Sequence, residues 1–379
     1  MITRHHATGR TRPAFTLVEL MVAMALTMGI MVIITEAFQK ALDFTSVMNA
    51  NKDLMNQLAN AGNVLEHDLT AEHFLPDETL VINGQRASGA RLSDQRLDLT
   101  GWRLPRGGFF KIYAPVPQYE PFTDREGNAL STATNHVLHF TSIFKGGGDQ
   151  ELFSTAAPAP NGTTYKSRAA EVAWYLVPRT PAEFTSTGAG QMQLYDLVRR
   201  YRLVALDDSA RSSLQPAVTN DPATHAEVIS VQTTPTPGTV NTLATVMNPA
   251  NRFVSPPTAT PAAPLSGPRF REEVVLTNVL SFQVLPWWDA RQPPTATRQP
   301  SRPYGQAGTM GAPNTEGPYD YLINPVQPPL LAGTFDTHGP ATNPNAVPQR
   351  IRIRSLQITI RIANTRAGVA RSNTWRFAM

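Results

Sequence analysis

Few residues in this chain have the type and spacing to do chemistry. There is no cysteine, so thiol catalysis, disulfides and Cys-ligated zinc or iron–sulfur centres are excluded. No Gly-x-Ser-x-Gly elbow and no His-Glu-x-x-His helix occurs. Gly146-Gly147-Gly148 follows Lys145 but lacks the Gly-Lys-Ser/Thr of a phosphate loop. Gly188-Ala189-Gly190 lacks a third glycine and precedes a strand instead of following one. Both read as turns. Asp124-Arg125-Glu126-Gly127-Asn128 offers oxygens that suit calcium, yet it is too short for a full calcium loop and reads as a hairpin turn. His67 and His73, beside Glu66 and Glu72, are six apart on an expected helix and point to different faces, whereas zinc on one helix needs a spacing of four. Trp287 and Trp288 could stack a ring, but neighbours in a strand face opposite ways. Neither an active site nor a metal or other cofactor is expected.

Two charged features remain. Glu19 is a carboxylate five residues into the apolar run FTLVELMVAMALTMGIMVII, Phe15 to Ile34. An ionisable group centred in a bilayer costs about 2.5–3.5 kcal/mol on insertion scales, so Glu19 either snorkels to the headgroups or has a partner. The second feature is the stripe Arg350, Arg352 and Arg354, alternating with Ile351 and Ile353. It reads either as a solvated, aggregation-resistant strand face or as a contact for an acidic partner. Leu356, Ile358, Ile360 and Ile362 continue the apolar face one residue out of phase, which predicts a bulge near Ser355.

The elements that carry these residues follow from pattern. The basic leader MITRHHATGRTRPA, with Arg4, Arg10 and Arg12 and no acid, precedes the apolar run. Twenty residues of helix cover about 30 Å, the hydrocarbon thickness of a bilayer, and the positive-inside rule leaves residue 1 in the cytoplasm and everything after Ile34 outside. A secretory signal fits poorly, because Ala23-Met24-Ala25 lies in the middle of the run. From Glu36 to Phe74 there is no proline, and apolar residues recur at spacings of three, four and seven, an amphipathic helix that Pro76 stops. Only its second half has a globular part to pack on.

After Pro76 the period becomes two. Expected strands are 80–83, 96–103, 108–113, 136–144, 170–177, 194–206, 274–285 and 349–362, an antiparallel sheet packed on the helix in an α+β fold. Residues 211–268 and 286–348 hold 23 of the 33 prolines and read as long, poorly packed surface insertions. The overall charge of +4 is uneven: the last 31 residues carry seven arginines and no acid. That is not a global nucleic-acid binder.

The leader followed by Phe-Thr-Leu-Val-Glu opening an apolar helix resembles the class III signal of type IV pilins and type II secretion pseudopilins. The order of EVAWYLV (171–177), LYDLVRRYRLV (194–204), VVLTNVLSFQVLPWWDA (274–290) and QRIRIRSLQITIRI (349–362) is similar to minor pseudopilins of the J type and W-type minor pilins. The resemblance implies a leader at 1–14, cleavage by prepilin peptidase between Ala14 and Phe15, and N-methylation of Phe15. It implies a transmembrane and filament-core helix at 15–35, an amphipathic helix at 36–75 and a periplasmic β-rich domain at 76–379. Glu19 would face a neighbouring subunit's amino group. Partners would be other pilins or pseudopilins and inner-membrane lipid, and the chain would join or prime a secretion pseudopilus or type IV pilus without catalysis. Two departures stand out: Ala14 replaces the family's usual glycine, and no proline follows the span. The alternative is a pilin-like surface or DNA-binding module using Arg350, Arg352 and Arg354.

Overall fold

The computed structural model describes residues 16–77, 81–82, 85–86, 89–94, 105–113, 135–146, 148, 152–156, 164–179, 184–185, 191–192, 194–220, 228–233, 235–252, 272–288, 317–318, 334–338, 353–364 and 369–379. Helix α1 runs Leu17–Thr70. The strands are β1 Val81–Ile82, β2 Gln85–Arg86, β3 Phe110–Tyr113, β4 Val137–Ile143, β5 Phe153–Ala156, β6 Thr164–Ser167, β7 Ala169–Pro178, β8 Phe184–Thr185, β9 Gln191–Met192, β10 Tyr195–Val204, β11 Glu272–Trp288, β12 Gly317–Pro318, β13 Thr334–Asp336, β14 Ile353–Asn364 and β15 Val369–Ala378, with helix α2 Asp208–Asn220 between β10 and β11. The chain forms two units, residues 1–52 and 53–379.

In the first unit α1 is exposed along an apolar segment of mean hydropathy 2.5, long and apolar enough to cross a membrane. In the second unit, Leu54, Leu58, Ala61, Leu65 and Leu69 are buried, a stripe at spacings of three and four. Phe38, Leu42, Met48 and Met55, which share the apolar pattern, stay exposed. The helix ends at Thr70, before Pro76, because the backbone turns to pair with the sheet: Glu72 and Ile143 exchange N–H···O bonds of 3.2 and 2.7 Å. Gly108 makes this turn possible. Its φ is +84°, and a Cβ there would lie 2.2 Å from the His73 carbonyl oxygen.

The main sheet has the order β13-β3-β4-β7-β10-β11-β14-β15, with β12 beside β11, and every pairing is antiparallel. Leu138, Phe140, Val172 and Trp174, all buried, share one face with Arg199. That face meets α1. The predicted bulge is present, since the β11–β14 register shifts between Trp287 and Trp288 and leaves Arg354 as the extra residue between Ile353 and Ser355. Ile353 and Leu356 are therefore both buried although they are three apart.

The proline-rich segments differ from expectation. Residues 208–220 form α2, capped by Asp207 Oδ1 accepting from the Ala210 amide at 2.8 Å, with Pro216 inside the helix. Residues 228–233 and 235–252 lie over the second sheet face, where Leu243 and Val246 pack with Phe109, Ile143, Ala169 and Val204. Of the second segment, residues 334–336 are a strand paired to β3. Proline does not prevent burial where side chains such as Arg252 have specific sites. Arg252 lies 3.9 Å over the Phe109 ring and donates to Asp336 Oδ2 at 2.6 Å, joining the two segments. Residues 253–268, and the expected strand 96–103, lie outside the described residues.

Two predictions follow from this packing. A Cβ at Gly62 would fall 2.6 Å from Trp375 Nε1, so Gly62→Ala forces the indole off the helix; despite alanine's better helix propensity, stability falls by about 1–3 kcal/mol with an altered Trp fluorescence spectrum. His73, His136 and His338 are buried, and burial pushes each down to about 4; the Arg252 charge adds to the effect at His338. Their unfolded values near 6.5 mean that the unfolded chain binds more protons between pH 6.5 and 4, so stability is full above that window and drops through it. At about 3 kcal/mol per histidine, the thermal midpoint must fall steeply from pH 6.5 to 4.5, and a flat profile would contradict neutral burial.

Candidate functional site

The first residue to locate is Glu19. It sits in the first turn of α1, where the Thr16 amide and hydroxyl both donate to Glu19 Oε2 at 3.0 Å, and the Glu19 amide donates to Thr16 Oγ1 at 3.3 Å. This is a capping box, in which the N-cap threonine and the glutamate three residues on satisfy each other's backbone amide. The signal was present in the letters Thr16-Leu17-Val18-Glu19. The carboxylate therefore has a local, helix-starting role as well as any role between subunits. Ala14 and Phe15 lie outside the described residues, as do Arg350 and Arg352. Arg354 is exposed at the β14 bulge. Glu19 belongs to the first unit and Arg354 to the second.

The strongest electrostatics lie elsewhere, in two buried networks that sequence reasoning missed. Asp68, fully buried on α1, accepts from Arg199 Nε and Nη2 at 2.7 Å each and from Trp174 Nε1 at 2.9 Å. Arg199 also reaches Glu273 Oε2 at 3.2 Å. Burial pushes the guanidinium down, but the hydrogen bonds and charge of Asp68 outweigh it and raise its pKa above the ordinary arginine value. The signal in the sequence was a carboxylate at 68, three residues past Leu65, in phase with the buried stripe.

On the opposite sheet face Glu171 is fully buried. It accepts from His139 Nε2 at 3.0 Å, Arg202 Nη2 at 3.2 Å and Ser230 Oγ at 2.7 Å. Burial pushes this carboxyl up, and the Arg202 charge with the His139 and Ser230 hydrogen bonds overcomes it, leaving a value of about 2. Burial pushes His139 down, so it is neutral at pH 7. An ionised carboxylate only accepts, so His139 carries its proton on Nε2.

Serine, histidine and glutamate together invite a hydrolytic reading, which the geometry rejects. In a triad the imidazole stands between serine and carboxylate and takes the serine proton. Here the carboxylate stands in the middle, Ser230 donates to it, and the Ser230 hydroxyl also accepts from Asn241 Nδ2 at 3.0 Å. All three are at most 1% exposed, so no substrate reaches them. Among the described residues no group of three or more metal-ligating side chains occurs. His67 is exposed and packs on Phe144, whereas His73 lies beyond the helix end and is buried.

The Asp68 junction yields a direct test. Asp68→Asn leaves the buried Arg199 guanidinium with only the Glu273 carboxylate and lowers stability by about 3–5 kcal/mol in urea unfolding, whereas the double replacement Asp68→Leu, Arg199→Met recovers part of that loss, the buried Trp174 indole N–H still lacking its acceptor. Against known proteins, the chain matches no family, no characterised protein and no solved structure.

Proposed function

We propose that the chain is a structural minor pilin or pseudopilin: inserted through α1, trimmed by prepilin peptidase between Ala14 and Phe15, and built into or onto an inner-membrane-based filament. Its work is assembly, with Glu19 offsetting the new amino terminus of a neighbour. The observation that carries the reading is an ionisable side chain at the start of a helix long and apolar enough to cross a membrane, bound among the described residues only to Thr16. Hydrogen bonds from an uncharged threonine leave the negative charge in place. The α+β architecture, with the second half of the helix packed on an antiparallel sheet, is compatible with this reading. In it, residues after Ile34 are periplasmic.

Two substitutions separate capping from charge. Glu19→Gln keeps a capping-box acceptor and deletes the charge; Glu19→Val deletes both. Both variants insert and are cleaved, and both co-isolate with other pilins at least tenfold less than the parent. Full co-isolation of Glu19→Gln would reduce Glu19 to a helix cap. Mass spectrometry of the mature chain must find an N-methylated Phe15 start; a chain still beginning at Met1 would refute the assignment.

A further inference from the structure

The short strand β13, Thr334–Asp336, pairs with β3 over three residues, and a buried histidine stands just beyond it. The Thr337 amide donates to the Phe110 carbonyl at 3.0 Å, and the Phe110 amide donates to Thr337 Oγ1 at 2.9 Å. Thr337 Oγ1 lies 3.1 Å from His338 Nδ1, and His338 Nε2 lies 3.4 Å from the Pro105 carbonyl oxygen. A carbonyl oxygen only accepts, so the neutral ring carries its proton on Nε2, and Nδ1 accepts from the Thr337 hydroxyl. The result is a relay: Phe110 N–H to Thr337 Oγ1, Thr337 O–H to His338 Nδ1, His338 Nε2–H to Pro105.

A second proton on the ring breaks this relay. Both nitrogens of an imidazolium donate, so Nδ1–H meets the Thr337 hydroxyl proton head on, and the hydroxyl must turn away from its acceptor. The surroundings oppose the proton as well. Burial and the Arg252 guanidinium push His338 down, the Asp336 carboxylate and the Pro105 carbonyl pull it up, and the value settles at about 4. Asp336 is already committed, since Oδ2 accepts from Arg252 Nη1 at 2.6 Å and Oδ1 from the His338 amide at 2.9 Å. Lys111 on β3 stands in register with both Asp336 and His139, and that histidine is neutral beside Glu171. Arg106, next to Pro105, pairs with Asp77 at 3.6 Å.

We propose that His338 is an acid-sensitive latch: uptake of one proton by its ring releases residues 334–338 from β3, while the rest of the sheet and the segment over its second face stay in place. Locality follows from the bonds that survive. Arg252 loses Asp336 but keeps Nε on the Val246 carbonyl at 3.0 Å, Nη2 on the Met247 carbonyl at 2.7 Å and its stack over Phe109. His73 is not a latch of this kind, because Phe74, Phe110 and Phe140 enclose its ring and it takes up a proton only when the core itself opens. His136 bonds at Nδ1 to the Val284 backbone, well inside the 17-residue β11. Once released, the His338 ring returns to an ordinary value near 6.5, so the released form binds more protons than the latched one between pH 6.5 and 4, and release grows as pH falls through that window. The inference uses only the sheet domain and is independent of the membrane reading.

The test is residue-resolved amide exchange on the full chain in detergent micelles at pH 7.0 and 5.5, with rates corrected for the intrinsic pH dependence of exchange. A ring that moves from about 4 when latched to about 6.5 when released makes opening about eightfold more frequent at pH 5.5 than at 7.0, and the Phe110 and Thr337 amides lose about eightfold in protection. His338→Gln keeps a hydrogen-bonding side chain but takes up no proton, so its protection at these two amides is the same at both pH values. If that variant does not fold, the nitrogen-15 shifts of the His338 ring in the parent chain decide instead: a neutral, Nε2-protonated ring at pH 7.0 is expected, and a cationic or Nδ1-protonated ring overturns the latch. Unchanged protection of both amides in the parent, a loss of the same size in His338→Gln, or an equal loss across β7 and β10, which marks unfolding of the whole domain, would each overturn it too.

Discussion

The helix side of this molecule depends on two charges that cannot be buried separately. Asp68 sits in a stripe of leucines and alanines and Arg199 in the middle of the sheet, and neither side chain is solvated well enough to stand alone. Apolar packing of Leu54, Leu58, Leu65 and Leu69 is non-directional and would tolerate a slide of one turn or a small rotation. The fork of Arg199 on both Asp68 oxygens, with the Trp174 indole as a third donor, would not. The contribution of the pair is thus positional. It fixes which turn of α1 faces which strand, and Gly62 under Trp375 then becomes the close approach that this register demands.

The same logic operates on the other face and explains why the proline-rich segment is folded. Residues 228–233 and 235–252 bury Val228, Ile229, Val240, Leu243 and Val246, and they also bring Ser230 to Glu171, Asn241 to Ser230 and Arg252 to Phe109 and Asp336. Each of these satisfies a buried polar group that would otherwise cost more than its hydrogen bonds return. Glu171 is the centre. An ionised carboxylate in the middle of a sheet accepts from three elements at once, β4, β10 and the covering segment, so the layer and the sheet order one another.

Much of the architecture was legible in the letters. The apolar run, the three-and-four spacing from Leu54 to Leu69, the seven strands recovered and the bulge beside Ser355 all follow from local periodicity, which one sequence reports directly. What was not legible depends on pairs far apart in sequence. Asp68 meets Arg199 over 131 positions and His139 meets Glu171 over 32; the phase of Asp68 with the leucine stripe marks a buried carboxylate, but nothing local says which side chain meets it. β15 was missed because Val-Ala-Arg-Ser-Asn-Thr-Trp-Arg-Phe-Ala alternates only weakly: its inward face meets the helix at Trp375, beside Gly62, with Phe377 buried, and Ser372, Thr374 and Arg376 are exposed on the other. Composition misled within the 211–268 segment, where proline content was read as loose chain although polar residues at 228–233 and 235–252 had buried partners waiting on the sheet.

Glu19 shows how a local and a long-range demand can fall on one side chain. The capping box supplies a partner for the orphan Thr16 amide and places the carboxylate at the positive end of the helix dipole, an effect of about 0.3–1 kcal/mol. On the membrane reading, a charge centred in the bilayer costs about 2.5–3.5 kcal/mol, and a position near the end of the span lowers that cost without cancelling it. The dipole and two hydrogen bonds from a neutral threonine therefore offset part of the penalty and leave the rest standing. On the proposed assembly, a cation from outside the helix would remove the remainder, and an amino terminus freed four residues before Glu19 in an adjacent copy would have the right sign at nearly the right depth.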